Sequence, residues 1–246
     1  MKNVLITRRT HPVGVSILEA EANVRHLLNP TREELRQALP GVHGLVAGIS
    51  VMFDGDLLDN APDLLVVARH GVGLDNVDLQ AATERGICVL YTPYAMVTGV
   101  AEHTVGLMLA VAKSFKRGER ALLEDRYHTR DQLGSVELYG KTLGIIGCGR
   151  IGSRVSRICA RGLGMNVITY DPYIPEEQAR QADAVLKPTL DEVLTAADVV
   201  SMHTPLTDET YHMIGKRQLA LMKPTAYLIN TARGPVVDEA ALLEAL

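Results

Sequence analysis

The sequence predicts an α/β protein with two doubly wound parallel sheets. Three observations carry this prediction. Short apolar bursts alternate with helical patterns over nearly the whole chain, the order that a helix-covered parallel sheet requires. The alternation breaks once, at 91–99 (YTPYAMVTG), where Pro and Gly interrupt it. The chain has 246 residues, 47% of them apolar, enough for two modest cores without disulfide or metal staples.

Each element follows from local pattern. Val4–Ile6 reads as a buried strand, and Arg32–Leu39 as a short helix with Thr31 at its N-cap. Gly44–Gly48 (GLVAG) and Leu64–Ala68 (LLVVA) are short, apolar and bounded by turn residues, so both read as strands. Leu79–Arg85 is helical and Ile87–Leu90 is the next strand. The junction near Thr98 divides the chain into 1–98 and 99–246. An apolar helix over Val100–Lys113 opens the second part, followed by the charged stretch Ser114–Glu137, which reads as a solvated arm. Strand Thr142–Ile146 then feeds a helix from Arg150, and strand Asn166–Tyr170 follows. Ala184–Leu186, a helix at Leu190–Ala196, strand Asp198–Met202, a helix at Lys216–Met222 and strand Ala226–Ile229 complete the series. A last helix starts after Asp238, a good N-cap, and the sequence stops inside it at Leu246.

Composition excludes several classes. The 25 basic and 29 acidic residues leave a formal charge of −4, against the basic face that a nucleic-acid binder needs. Aromatics are scarce, with no Trp and 2 Phe, so base-stacking platforms are not expected. Cys88, Cys148 and Cys159 are too few and too scattered for a disulfide scaffold, which fits a reducing compartment. The start, MKNVLITRRT, lacks the apolar core of a signal peptide, and no apolar run reaches 18 residues. A cytoplasmic globular protein is expected. No His, Asp or Glu cluster has metal-ligand spacing, so no metal is expected.

The strongest motif is Gly147-Cys148-Gly149-Arg150-Ile151-Gly152, a G-x-G-x-x-G. It follows the strand TLGII and opens the helix RIGSRVSRICARGL. Asp171 stands 19 residues beyond Gly152, at the end of the next strand. That context fits the first βα turn of a Rossmann dinucleotide site. Gly147 permits a tight turn, Gly149 lets backbone approach a pyrophosphate, and Gly152 lets helix and strand pack closely. The amides of the helix start then face the phosphates. Asp171 is placed to accept hydrogen bonds from ribose hydroxyls and would repel a 2′-phosphate, which favours NAD over NADP.

Four stretches then resemble the D-isomer-specific 2-hydroxyacid dehydrogenases, most closely their phosphoglycerate dehydrogenase branch. They are RHGVGLDNVDL (69–79), AEHTVGLMLA (101–110), GKTLGIIGCGRIG…VITYDP (140–172) and ADVVSMHTPLTDET…LINTARGPVVDEAALLEAL (197–246). The resemblance implies hydride transfer between NAD(H) and a D-2-hydroxy acid or 2-oxo acid held between two domains. It implies a flavodoxin-like substrate-binding (catalytic) domain over 1–98 and a Rossmann domain over 99–246. By the same resemblance, the amides of Gly71-Val72-Gly73 form a nest for the substrate carboxylate. Arg69 beside it either adds charge for the substrate or pairs on the surface. Arg233, in Asn230-Thr231-Ala232-Arg233-Gly234, matches the catalytic arginine, whose planar fork suits a carboxylate and a developing alkoxide. Thr231 and Ala232 match positions beside the nicotinamide, Thr204 and Pro205 match a turn lining the cofactor, and Arg150 and Ile151 match the phosphate turn. The region over 100–140 matches a two-fold contact, so a homodimer is expected.

The remaining candidates carry less. His103 lies on an apolar helix and is expected to be packed. His203 borders the cofactor turn, and His70 adjoins the anion loop without a matched role. Cys148 has no histidine nearby in sequence and reads as a small filler. In relatives an aspartate, a glutamate and the acid/base histidine follow the position of Leu246. The expectation is therefore a piece of a longer enzyme, truncated at its C-terminal end and slowed by about 10²–10⁴ for want of a placed acid. Phosphoglycerate is the first substrate expected, with hydroxypyruvate, glyoxylate and other 2-oxo acids open. The competing reading is a non-catalytic, NAD-sensing protein of corepressor type with the same fold.

Overall fold

The computed structural model describes residues 1–246, the side chain of Arg130 apart. The chain forms two compact units, Met1–Met96 and Val97–Leu246. Thr98, the expected junction, lies in the first turn of the helix that opens the second unit.

The first unit runs β1 (Lys2–Ile6), α1 (Pro12–Glu19), β2 (Ala22–His26), α2 (Arg32–Ala38), β3 (Gly44–Ala47), α3 (Gly55–Leu58), β4 (Val66–Arg69), α4 (Leu79–Glu84) and β5 (Cys88–Tyr91). All strand pairs are parallel, in the order β2-β1-β3-β4-β5. The chain crosses from one side of β1 to the other between β2 and β3. Loops after β1 and β3 therefore flank a topological switch point, where open α/β sheets bind ligands. Leu5, Leu45 and Val67 from the sheet meet Leu35, Leu39 and Leu57 from the helices in one core. Thr31 caps α2 in a full capping box with Glu34, as the sequence suggests.

The second unit runs α5 (Val97–Ala112), α6 (Phe115–Leu123), β6 (Thr142–Ile146), α7 (Arg150–Leu163), β7 (Asn166–Tyr170), α8 (Glu176–Gln181), β8 (Val185–Leu186), α9 (Leu190–Ala196), β9 (Val199–Met202), α10 (Lys216–Leu221), β10 (Tyr227–Asn230) and α11 (Glu239–Ala245). Short 3₁₀ turns lie at Tyr127–Gln132 and Gly234–Val236. Its sheet is also parallel throughout, in the order β10-β9-β6-β7-β8, so the switch point falls between β6 and β9. Strand alternation separates two cores. Leu143, Ile145 and Val199 pack with Val105, Met108 and Val155 on one side. Ile146, Val200 and Met202 pack with Val193 and Leu194 on the other. β10 is an edge strand, and an apolar groove of about 530 Å³ runs beside it, lined by Val111, Leu228 and Leu242.

The structure departs from the sequence pattern where elements are polar. The stretch 114–137, expected as a solvated arm, contains α6 and a 3₁₀ turn. α6 buries Ala121 and keeps its charges outside, with Arg120 paired to Glu124 one turn on. β2 (ANVRH) is an edge strand with mostly exposed side chains, so no apolar run marks it. α1 buries no residue, and its start is capped by the His11 ring accepting from the Val13 amide. No helix among the described residues is long and apolar enough to cross a membrane.

Candidate functional site

The glycine turn joins β6 to α7 at the switch point of the second sheet. Gly147 has φ +88°, in the left-handed region, and a Cβ there would lie 2.9 Å from the His203 carbonyl oxygen. A Cβ on Gly152 would fall 2.1 Å from the Gly147 carbonyl oxygen, so helix and strand can meet this closely only without one. A Cβ on Gly149 would meet nothing within 4 Å; its bare backbone faces open space. Gly149 is also the N-cap of α7 and offers no side chain to the first-turn amides. An uncapped amide cluster behind an open glycine is what an anionic ligand group needs. Arg150 is exposed and Ile151 half-buried at the start of that helix.

Asp171 follows β7 and is tied to the turn. Its Oδ2 accepts from the Cys148 amide at 2.9 Å and its Oδ1 from the Tyr173 amide at 3.0 Å. These bonds fix the carboxylate at the rim of a cavity of about 410 Å³. Gly147, Gly149, Asp171 and Pro172 line it, with His203, Thr204, Pro205 and Met213 from the segment after β9. Thr204 Oγ1 is buried there without a hydrogen-bond partner. An orphaned hydroxyl costs stability unless something satisfies it, so the cavity is shaped for a polar ligand. Open glycine, uncapped helix start, fixed carboxylate and orphan hydroxyl together fit the phosphate and ribose groups of a dinucleotide. Cys148 sits in the turn with its side chain buried, and burial pushes its thiol up, which suits a filler rather than a nucleophile.

Two strands away in the same sheet, β10 ends in the loop that carries Arg233. Asn230 builds this loop: its Nδ2 donates to the Arg233 carbonyl at 2.8 Å and its Oδ1 accepts from the Ala232 amide at 3.0 Å. Arg233 is half-buried, and its Nη1 donates to the Ala232 carbonyl at 2.8 Å. Thr231 Oγ1 lies 2.8 Å from Oγ1 of Thr104, which is fully buried on α5. The two threonines tie the loop to the helix. The glycine turn, Thr204-Pro205 and the Thr231–Arg233 loop thus stand at the carboxyl ends of β6, β9 and β10, neighbours in one sheet.

A model of the D-isomer specific 2-hydroxyacid dehydrogenase NAD-binding domain matches residues 105–246. The chain belongs to the D-isomer specific 2-hydroxyacid dehydrogenase family. Along its whole length it is 42% identical to a D-3-phosphoglycerate dehydrogenase of Methanocaldococcus jannaschii, of which it covers 47%. Over 99% of its length it is 43% identical to a glyoxylate reductase of Thermococcus gammatolerans, of which it covers 75%. The chain thus spans about half the length of the phosphoglycerate dehydrogenases it matches. A D-lactate dehydrogenase from Aquifex aeolicus, solved with NAD and lactic acid, superposes with a TM-score of 0.85 at 31% identity, covering 99% of this chain and 73% of that one.

In the first unit the Gly71-Val72-Gly73 loop is also held by side chains. Arg69, 4% exposed, donates from Nε to Asn76 Oδ1 at 3.0 Å and from Nη1 to the His70 carbonyl at 2.6 Å. Arg69 is thus buried and braces the loop from behind. A Cβ on Gly71 would lie 2.8 Å from Arg69 Nη1, so this approach needs glycine. The Gly71 amide donates to the Arg69 carbonyl at 2.9 Å and is spent inside the loop, unlike the expected three-amide nest. Val72 and Gly73 follow, both half-buried. Asn76, which sequence reading missed, also donates to the carbonyls of Gly48 and Val51, joining the loops after β3 and β4. Asn230 and Thr104 were missed too. Small polar residues inside apolar runs were the available signal.

The histidines divide. His103 is exposed rather than packed, because α5 turns Ala101, Thr104 and Val105 inward instead. His70 keeps Nδ1 buried without a partner, and burial together with Arg8 and Arg69 holds its ring below the ordinary histidine range. His203 points inward, with Nε2 2.9 Å from Oγ of the buried Ser201, and burial pushes it down from 6.5 to about 4. The unfolded chain therefore binds the proton first as pH falls. The stabilising contribution of the neutral ring is complete above pH 6.5 and is lost between 6.5 and about 4. Denaturant midpoints measured across this window should fall more steeply for the parent than for His203→Gln. Equal slopes would contradict the assignment.

Proposed function

We propose that residues 99–246 bind NAD and that the whole protein transfers a hydride between NAD(H) and a D-2-hydroxy acid or its 2-oxo acid. The observation that carries the reading is the gathering of the glycine turn, the fixed Asp171, the orphan Thr204 hydroxyl and the Arg233 loop along one sheet end. In this reading Gly147, Gly149, Gly152 and the first turn of α7, with Arg150 and Ile151, hold the pyrophosphate. Asp171 accepts from the adenosine ribose, while Thr204, Pro205, Thr231 and Ala232 border the rest of the coenzyme. The hydride comes from the nicotinamide when the coenzyme is bound. Arg233 holds the substrate carboxylate, polarises the 2-oxo group and stabilises the alkoxide as it forms.

Residues 1–98 are the substrate-binding domain in this account. The Val72 and Gly73 amides receive the carboxylate, and the Arg69 charge supports them from behind. Phosphoglycerate is the first substrate proposed, supported by the phosphoglycerate dehydrogenase similarity along the entire chain. The three cysteines are free, two of them buried, which supports a reducing, cytoplasmic setting. We also infer a homodimer through 100–140. Leu107 and Val111 on α5 and Leu122 and Leu123 on α6 are exposed apolar side chains in that region.

Two measurements test these readings. In the full-length protein, Arg233→Gln should leave NADH affinity within about twofold and lower kcat/KM for the 2-oxo acid by about 10²–10³-fold, the cost of one oxyanion-type donor. Unchanged turnover would remove Arg233 from the chemistry. Light scattering at micromolar concentration should give twice the chain mass, and a monomer would contradict the dimer.

A further inference from the structure

Tyr173, two residues after Asp171, and Glu209 both line the cavity beside the glycine turn. The Tyr173 hydroxyl donates to Glu209 Oε2 and joins the segments that follow β7 and β9. Both ends are anchored. The Tyr173 amide donates to the Asp171 carboxylate at 3.0 Å. Glu209 sits in a turn closed by Thr210, whose Oγ1 accepts from the Thr207 amide at 2.8 Å and donates to the Pro205 carbonyl at 2.7 Å. Thr210 is 7% exposed, so this turn is packed rather than loose.

Asp171 thus holds Tyr173 at its backbone amide and Glu209 holds it at its phenol. Their charges, with the hydrogen bond to Glu209 as the larger cause, hold the Tyr173 hydroxyl above the ordinary tyrosine range, so it stays a donor. We propose that Glu209, held by Tyr173, is a second specificity-determining carboxylate of the coenzyme site, acting with Asp171 against a 2′-phosphorylated adenosine ribose. The proposal rests on the reading that this cavity takes the adenosine half of NAD. Asp171 alone would exclude the 2′-phosphate by occupying its place. Glu209 adds a like charge across the cavity mouth, where a phosphate of about −1.5 to −2 charge would have to sit. The tyrosine hydroxyl gives that exposed carboxylate a partner on the Asp171 side.

Calorimetric titration with ADP-ribose and with 2′-phospho-ADP-ribose tests this without any turnover. The parent should prefer ADP-ribose. Glu209→Gln should tighten 2′-phospho-ADP-ribose by about three- to tenfold relative to ADP-ribose. Tyr173→Phe, which keeps the ring and loses the hydroxyl, should shift the ratio in the same direction by less. The shift should shrink as salt is raised. Asp171→Asn serves as the control that the assay detects a lost carboxylate. If Asp171→Asn moves the ratio while Glu209→Gln and Tyr173→Phe leave it at the parent value, the second carboxylate is overturned and the NAD reading stands. If the parent binds neither ligand, the NAD reading fails and the inference goes with it.

Discussion

The contact between Gly152 and the Gly147 carbonyl fixes the geometry on which the second unit depends. A Cβ at residue 152 would sit 2.1 Å from that oxygen, so α7 can start where it does only because the position is bare. The close start aims the first-turn amides of α7 out of the carboxyl end of β6. It also brings the Cys148 amide within 2.9 Å of the Asp171 carboxylate, locking β7's end to the turn. The chain of cause runs from one missing side chain to an uncapped helix start, and from there to a carboxylate held at a fixed place beside it.

The other parts of the site are held by small polar residues that close loops on themselves. Asn230 clamps the Thr231–Arg233 loop through two bonds, and Thr104 reaches it from a buried position on α5. Asn76 does comparable work in the first unit, joining the loops after β3 and β4 and holding Arg69. Each of these residues holds a loop that follows a parallel strand, where the sheet cannot position side chains and a local network must do it. These supports are bought with buried hydrogen bonds that have no apolar alternative.

Much of this was legible in the residues. Strands β6 and β7 and helices α7 and α9 begin and end where apolar runs, glycines and caps put them. The glycine turn and Asp171 were readable because the motif carries its own context of strand, turn, helix and strand. Elements with polar faces were not readable. β2 is supported by pairing to β1 rather than by burial, α1 buries nothing, and α6 hides one small residue beneath a charged face. The site's supports escaped for a related reason. A buried Asn or Thr looks like any turn or helix residue until its partner, far away in sequence, is known. Thr104 and Thr231 lie 127 residues apart. The spent Gly71 amide was hidden likewise, since only the backbone path shows which donors a loop keeps for itself.

The central claim is that the Gly147–Gly152 turn and Asp171 bind the coenzyme. Amide hydrogen exchange with and without NADH measures this directly. The account predicts slowed exchange confined to the turn and first residues of α7, to the backbone around Asp171–Tyr173, and to Thr204, while the far ends of the strands stay as before. Binding that protects none of these segments, or protection located only elsewhere in the chain, would contradict it.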